Sequence, residues 1–333
     1  MNNIDNTPYK GIINNRFIFF EGFTINFIKE DDIRKFFEKY GEVQSICFKY
    51  DHHQKLIGSG MIEFKDVTTC QRLLNLSQIN YCRRTISLDR VRNPDCWFCL
   101  NNTNPSGVKL DEIVYEDEHC YIVLCKGPIN PRHVLLIPKI HLPGSSHLSA
   151  EINSHLETVK RKVADIYWEK FNELCFFSEM FLGNMTTNVA HLVIHIIPFS
   201  QDKFTEFSKA LEDTSRDVIE NLSKYTILRD EDSLLSYISQ KDYYFLFEVS
   251  NKIGMRDDDF YAYRRLLIIP EIKAKTFPRD YGRKVFCEIV GCWGKSDWKQ
   301  CDTLVWTSDK YRKALREMFS YNDNNLCHYS VFQ

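Results

Sequence analysis

Ala190-His191-Leu192-Val193-Ile194-His195-Ile196-Ile197-Pro198 is the stretch on which the reading of this chain turns. From His191 to Ile197 every residue is β-branched or long aliphatic, except two histidines four apart. Such a composition predicts a strand, in which residues two apart share a face. His191, Val193 and His195 then form one row, while Leu192, Ile194 and Ile196 turn the other way into a core. Two imidazoles bracketing an aliphatic side chain have the form of a site whose middle member is missing. Taken alone, the pair also suits two ordinary core or surface histidines.

Upstream, Cys96-Trp97-Phe98-Cys99 follows a break at Asn93-Pro94-Asp95. A two-residue gap lets two thiolates reach one metal from a single turn, and the same spacing serves a redox pair or two buried thiols. A redox pair usually opens a helix within a thioredoxin-like pattern, and none surrounds this one. A structural zinc takes four ligands, so two more have to come from elsewhere. Between the cysteines and the histidine row, an apolar strand is predicted over 120–125, followed by the turn Lys126-Gly127-Pro128-Ile129-Asn130-Pro131. A second strand runs from His133 through Ile137-Pro138-Lys139-Ile140-His141. A long amphipathic helix over 148–171 and a strand over 175–180 complete the block.

Strand, glycine-proline turn, Ile-Pro-Lys-x-His, helix and final histidine strand, across 96–198, together resemble the histidine-triad superfamily. In its zinc-carrying members the metal is held by two cysteines, the histidine after Pro-Lys and the first histidine of the final strand. The resemblance carries these onto Cys96, Cys99, His141 and His191. A Cys₂His₂ set leaves no open position, so it implies structural zinc, and loss of one thiolate is expected to unfold this domain first. The superfamily's nucleophile is the middle histidine of the row, and here that position is Val193. Valine cannot attack phosphorus, hold a proton or form a covalent intermediate. The resemblance thus implies no catalytic residue, with His195, the third position, the residual candidate for phosphate binding or proton transfer. His133 reads as structural, His119 and His147 as surface residues.

Downstream, 204–222 is polar with helical spacing, and Tyr243-Tyr244-Phe245-Leu246-Phe247-Glu248-Val249 and the run from Tyr263 to Pro270 predict strands. Between them Arg256-Asp257-Asp258-Asp259 lacks the spaced oxygens and closing glutamate of a calcium loop and reads as a solvated hairpin tip. Phe277-Pro278-Arg279-Asp280-Tyr281-Gly282-Arg283-Lys284-Val285 then leads through Gly291 to Asp297-Trp298-Lys299-Gln300-Cys301. Val285, Ile289 and Val290 give a helix its apolar face, Trp298 reads as an anchor, and Lys273, Lys275, Arg279, Arg283 and Lys284 gather charge at the helix start. A closing helix is expected over 310–319. Joined to a triad-like domain opened by Cys-Trp-Phe-Cys, this block resembles the paired C-terminal modules of the CwfJ family, which is associated with the spliceosome and intron-lariat turnover. Relatives commonly keep the middle histidine and vary the third, the reverse of Val193 and His195. The resemblance implies nuclear RNA processing beside spliceosomal or lariat-debranching proteins, by binding or scaffolding. Arg279, Arg283 and Lys284 are candidates for RNA phosphate or acidic partner surfaces, and equally suit a solvated surface.

The first ninety residues read as βαββαβ: a strand over 16–22, a helix over 31–40 stopped by Gly41, strands over 42–50 and 57–64, a helix over 67–76 and a last strand over 85–88. This order resembles an RNA-recognition motif, a family whose sheet stacks bases on aromatics. Ile18-Phe19-Phe20-Glu21-Gly22-Phe23 and Ile57-Gly58-Ser59-Gly60-Met61-Ile62-Glu63-Phe64 stand where the family has its two signature strands. The family's basic first position is Ile57 here, and two base-stacking aromatics are replaced by Ser59 and Met61, leaving Phe19. Stacking is worth about 1–3 kcal/mol per base, so single-strand binding should be weak. Met61 suits a protein contact instead. Arg83, Arg84, Arg90 and Arg92 are candidates for phosphate, or a solvated edge.

With 44% hydrophobic and 14% aromatic residues, the 333-residue chain is globular and long enough for several cores. The expected architecture is α+β: an RNA-recognition-like sandwich over 14–92, a triad-like domain over 93–202 and a C-terminal module over 203–333. A net charge of −2 argues against nucleic-acid binding by bulk charge and leaves local patches open. No apolar run approaches the roughly 20 residues that span a bilayer, so no membrane partner is expected. Met1-Asn2-Asn3-Ile4-Asp5 lacks the basic and apolar regions of a signal peptide, and the twelve cysteines then read as reduced thiols. The expectation is a non-catalytic nuclear factor binding RNA or splicing proteins. A nucleotide hydrolase or transferase using His195, and a pure protein adaptor, are the alternatives.

Overall fold

The computed structural model describes residues 17–24, 28–50, 55–90, 96–100, 105–182, 191–209, 224–239, 241–251, 260–274, 276–301 and 309–320. Ala190, Arg92, Lys275, the acidic turn at 256–259 and residues 210–222 of the expected helix lie outside them, as does the side chain of Arg90.

Residues 1–49 and 56–91 form one compact unit. Within it β1 (Phe17–Glu21), α1 (Glu30–Glu38), β2 (Val43–Tyr50), β3 (Leu56–Phe64), α2 (Val67–Leu76), β4 (Gln78–Tyr81) and β5 (Arg84–Arg90) give a sheet in the order β2-β3-β1-β5-β4. Ile18 and Phe20 of β1 and Ile62 and Phe64 of β3 are buried on the helix side, with the Phe37 ring of α1 between Phe20 and Phe64. Asp66 caps α2 by accepting from the N–H groups of Thr68 and Thr69. The strand β4 is additional to the expected set. It pairs with β5 through a two-residue turn in which Cys82 and Arg83 both have positive φ (47° and 66°), the turn type whose twist matches the flanking strands.

The second unit comprises residues 92–333 with 50–55. Its strands are β6 (Ile113–Glu116), β7 (Cys120–Leu124), β8 (Val134–Pro138), β9 (Glu173–Phe181), β10 (Ile194–Ser200), β11 (Lys224–Ile227), β12 (Tyr243–Ser250) and β13 (Tyr261–Ile269). They form one antiparallel sheet ordered β11-β13-β12-β9-β10-β8-β7-β6. The boundary drawn at residue 203 therefore falls inside a single unit. One edge of β9 is taken by β10; β12, buried at all eight positions, takes the other from Tyr244↔Phe181 to Val249↔Phe176.

The long helix α3 (Ala150–Phe171) is capped by the Ser149 hydroxyl, which accepts from the Ile152 N–H, and ends on Asn172 in the left-handed region. Its buried face includes Leu156, Val159, Val163 and Tyr167, and also Lys160. Lys160 meets Glu157 at 2.6 Å and Glu248 of β12 at 2.5 Å, and Arg264 of β13 meets Glu248 at 2.9 Å. Two buried cations are thus balanced by two carboxylates, which removing a single partner would undo. After β10 come α4 (204–209), α5 (Glu271–Ala274), α6 (Tyr281–Val290) and α7 (Asp309–Ser320). Phe286 of α6 seats among Phe176, Phe199 and Phe207, and Gly291 ends the helix at φ 73°. No helix among the described residues is long and apolar enough to cross a membrane.

The histidine strand starts later than its composition suggests, at Ile194 instead of Ala190. Ile194 pairs with Leu136, and continuing the ladder upstream would reach Pro138, whose carbonyl already accepts from His191 Nε2 at 2.8 Å. Leu192 instead donates its N–H to Leu142. The alternation persists through this lead-in: Leu192, Ile194 and Ile196 are buried core residues.

Candidate metal centre and adjoining cavity

The Cys96–Cys99 turn is held from both sides. Val108 donates its N–H to the Trp97 carbonyl at 2.7 Å, and the Tyr121 hydroxyl donates to the Phe98 carbonyl. Lys139 and Ile140 carry the chain from β8 to His141, and the Leu192–Leu142 bond draws His191 alongside. The result gathers Cys96, Cys99, His141 and His191, one donor atom from each lying within 4.8 Å of all the others. Cys96 Sγ is 3.5 Å from His191 Nδ1, and Cys99 Sγ is 3.2 Å and 3.7 Å from Nδ1 of His141 and His191. A tetrahedral centre with metal–sulfur bonds of about 2.3 Å and metal–nitrogen bonds of about 2.0 Å sets sulfur–nitrogen separations at roughly 3.6 Å. The donors fit such an ion. His191 also has the supporting contact expected of a metal ligand, since its Nε2 proton goes to the Pro138 carbonyl and leaves Nδ1 for the cluster. Hydrogen bonding with Cys99 draws Cys96 down to about 2 against the effect of burial, and His141 and His191 add to it. This quartet can hold a metal and offers it no open position.

The rest of the row lines a cavity of about 620 Å³, whose wall includes Val123, Cys125, Leu135, Ser178, Val193, His195 and Arg283. Val193 packs against the apolar cluster that includes Tyr121, Val123, Cys125 and Leu135. His195 Nδ1 lies 3.0 Å from His133 Nε2, while His133 Nδ1 accepts from the Ile129 N–H at 3.2 Å. That acceptor role puts the His133 proton on Nε2, so His195 receives it at Nδ1 and keeps its own proton on Nε2. Burial, reinforced by the Arg283 cation, pushes His195 down to about 3. Burial likewise sets His133 well below the usual histidine range, with His195 and Arg283 adding to the effect. Near pH 7 the row thus offers the cavity a methyl-bearing wall and one neutral N–H donor.

Several expected roles change. Arg283 is only 6% exposed, so it is not the solvated surface cation that its neighbours suggest. Its guanidinium donates to the Ser296 carbonyl (3.0 Å), the Lys295 carbonyl (2.7 Å), and Cys301 Sγ (3.1 Å), and so holds the segment after α6. Lys284 is exposed and pairs with Asp280 at 3.0 Å, and Arg279 is exposed at the cavity rim. Trp298, read as an anchor, is 42% exposed. His147 is buried with its ring on Phe181, because the loop from Gly144 folds in under Tyr244 and Glu179. His119 is half-buried, its ring 4.8 Å from that of His155.

In the first unit Phe19 stands opposite Met61 in the β1–β3 register. Phe19 is half-buried, but Met61 is 6%, Ser59 3% and Glu63 1% exposed, so Met61 is not an open contact surface. Arg83 and Arg84 are exposed at the β4–β5 hairpin.

Three features escaped the sequence reading. Cys125 and His133 meet across the turn that separates them, through the bond from Cys125 N–H to the His133 carbonyl, and with His195 they form a second donor group. Their positions bracketing the glycine-proline turn were the available signal. A third group, Asp117, Cys120 and His155, is an acidic turn: Asp117 accepts from the His119 and Cys120 N–H groups and from His155. Arg283 had no signal separating it from its exposed neighbours.

Two stretches of the chain match known family models. Residues 85–212 match the family described as "Protein similar to CwfJ C-terminal", and residues 26–87 match the RNA recognition motif. A CWF19-like protein 1 homolog of Drosophila melanogaster is 26% identical over 244 residues, covering 71% of this chain and 39% of that protein. The zinc finger CCCH domain-containing protein 64 of Arabidopsis thaliana is 27% identical over 266 residues, covering 78% and 39%. The chain thus spans about two fifths of the length of these relatives. Among solved structures, a histidine triad nucleotide-binding protein from Sulfolobus tokodaii is 27% identical over 27% of this chain and 61% of that one, with a TM-score of 0.24. The RNA15 RRM covers 24% of this chain and 93% of that one at 18% identity, with a TM-score of 0.22.

By sheet, donor quartet and row, the second unit contains a histidine-triad-like α+β domain, and the first is of the RNA-recognition-motif class. More particularly, the chain resembles the CwfJ/CWF19 proteins over residues 85–212 and carries a match to the RNA recognition motif over residues 26–87.

Proposed function

We propose that this protein is a non-catalytic nuclear RNA-processing factor, working with RNA and with spliceosomal or intron-lariat proteins, whose triad-like domain is braced by one structural zinc. The observation that carries the reading is Val193 lining the cavity between His191 and His195. An alkyl group has no lone pair for phosphorus, His191 is engaged at the donor quartet, and His195 is a neutral donor bonded to His133. The resemblance to CwfJ and CWF19-like proteins supports the splicing context. Zinc is favoured by the S₂N₂ donor set with bond-length-compatible separations.

The test has two parts. Metal analysis of the purified chain should return about one zinc, lost in Cys99→Ser together with a lower unfolding temperature. Incubation with radiolabelled nucleotides and capped RNA should give neither a nucleotidylated protein nor turnover. A metal-free folded wild type would end the zinc reading, and turnover lost on His195→Ala would end the non-catalytic one.

A further inference from the structure

Base-stacking proteins need exposed aromatic faces beside cations. On the RNA-recognition sheet of this chain two family aromatics are Ser59 and Met61, both buried. Among the described residues, the large aromatic side chains open to solvent lie instead in the second unit. Trp298 (42%) and Trp293 (62%) are among the few large apolar side chains open to solvent, and Trp97 stands with Trp298 at the cavity mouth. Around that mouth are Lys126, whose Nζ lies 5.8 Å from the Trp97 ring centre, Lys299, 5.9 Å from the Trp298 ring centre, and Arg279.

Nor is Trp298 exposed because its loop is loose. Its backbone lies so close to Gly127 that a Cβ there would come within 2.3 Å of the Trp298 carbonyl oxygen. Lys295 Nζ donates to the Ile129 carbonyl at 2.9 Å, and buried Arg283 grips Lys295, Ser296 and Cys301. The segment is pinned on both sides of an indole that still faces water. Acidic groups at the rim are engaged by the chain itself: Asp297 accepts the Lys299 N–H, Asp280 pairs with Lys284, and Glu112 accepts the Lys109 N–H.

We infer that the rim formed by Trp97, Lys126, Arg279, Trp298 and Lys299 is the protein's single-stranded RNA surface, in place of its RNA-recognition sheet. The inference rests on the RNA-processing role proposed above. Bases stack on the indoles, and phosphates lie against the cations. A rigid platform loses little ordering entropy on binding, so the aromatic contribution is retained.

The experiment is fluorescence anisotropy of a labelled twelve-nucleotide oligouridine with the full-length chain across a salt series. Wild type should bind with an affinity that falls as salt rises. Trp298→Ala should weaken binding about tenfold or more, Trp298→Phe should restore most of it, and Lys299→Glu should flatten the salt slope by about one unit or more. Phe19→Ala should change affinity by less than about twofold, and matched unfolding temperatures establish that each variant is folded. If Phe19→Ala abolishes binding while Trp298→Ala leaves it intact, this surface assignment falls and the RNA role stands. If wild type binds no RNA at any salt concentration, both fall, and the rim is left as a protein-docking face.

Discussion

The ring of His147 lies 4.9 Å from that of Phe181, its Nδ1 is 2.9 Å from the Ser146 hydroxyl, and burial pushes it down to about 3 although the Gly144 backbone opposes the shift. In the unfolded chain the same imidazole titrates near about 6.5. Between those values the unfolded state binds the proton and the folded state does not, so stability is intact above about pH 6.5 and falls as pH drops toward 3. Each pH unit crossed removes up to about 1.4 kcal/mol for one such histidine. Urea unfolding from pH 7 to pH 4 should therefore show a shallower loss in His147→Gln than in wild type, and equal slopes would mean the ring is protonated in the fold. Burial puts Arg283 to a different use. The guanidinium spends its donors on two carbonyls and the thiols of Cys125 and Cys301, which makes it a clasp for the segment that presents Trp298.

At the scale of single elements, α6 carries a residue whose smallness outweighs its poor helix propensity. A Cβ on Gly282 would come within 2.9 Å of Ser178 Oγ and 3.0 Å of the Phe245 ring, so the helix start is pressed onto β9 and β12. Alanine usually stabilises a helix by about 1 kcal/mol relative to glycine. Here the sign should reverse, Gly282→Ala costing about 1–3 kcal/mol in chemical denaturation. At Gly294 no atom lies within 4 Å of an added Cβ, and the same substitution should stay within about 0.5 kcal/mol. These elements also mark what the sequence could disclose. The apolar spacing of α6 and the length of α3 were readable because each rests on neighbours a few residues apart, whereas the four metal donors, spread from Cys96 to His191, came only through the family resemblance. The destination of Arg283 was not, since a basic side chain at a helix start looks the same whether solvated or buried. The strand Gln78–Tyr81 was missed because four residues with two polar amides give no periodic signal.

For the molecule as a whole, the decisive contact is the ladder between β9 and β12, strands separated in sequence by more than sixty residues. Such pairing leaves no local trace, which is why residues 93–202 and 203–333 read as separate domains. The structure binds them in three ways: backbone ladder, the ring cluster around Phe286, and the buried charges joining α3 to β12 and β13. Cutting at residue 203 would leave the apolar edge of β9 unpaired and Lys160 buried without Glu248, a liability for aggregation and a charge penalty together. A fragment of residues 93–202 should therefore fail to unfold cooperatively, whereas 93–333 should unfold in one transition monitored identically by circular dichroism and by hydrogen exchange of β8 and β13 amides. Glu248→Leu in the longer fragment should lower protection in both strands at once by about 3–5 kcal/mol, because it leaves buried Arg264 without its carboxylate and Lys160 with Glu157 alone. If β13 loosened while β8 kept its full protection, the two halves would be energetically independent despite sharing a sheet. The metal quartet and the Trp298 rim would then owe nothing to each other's stability.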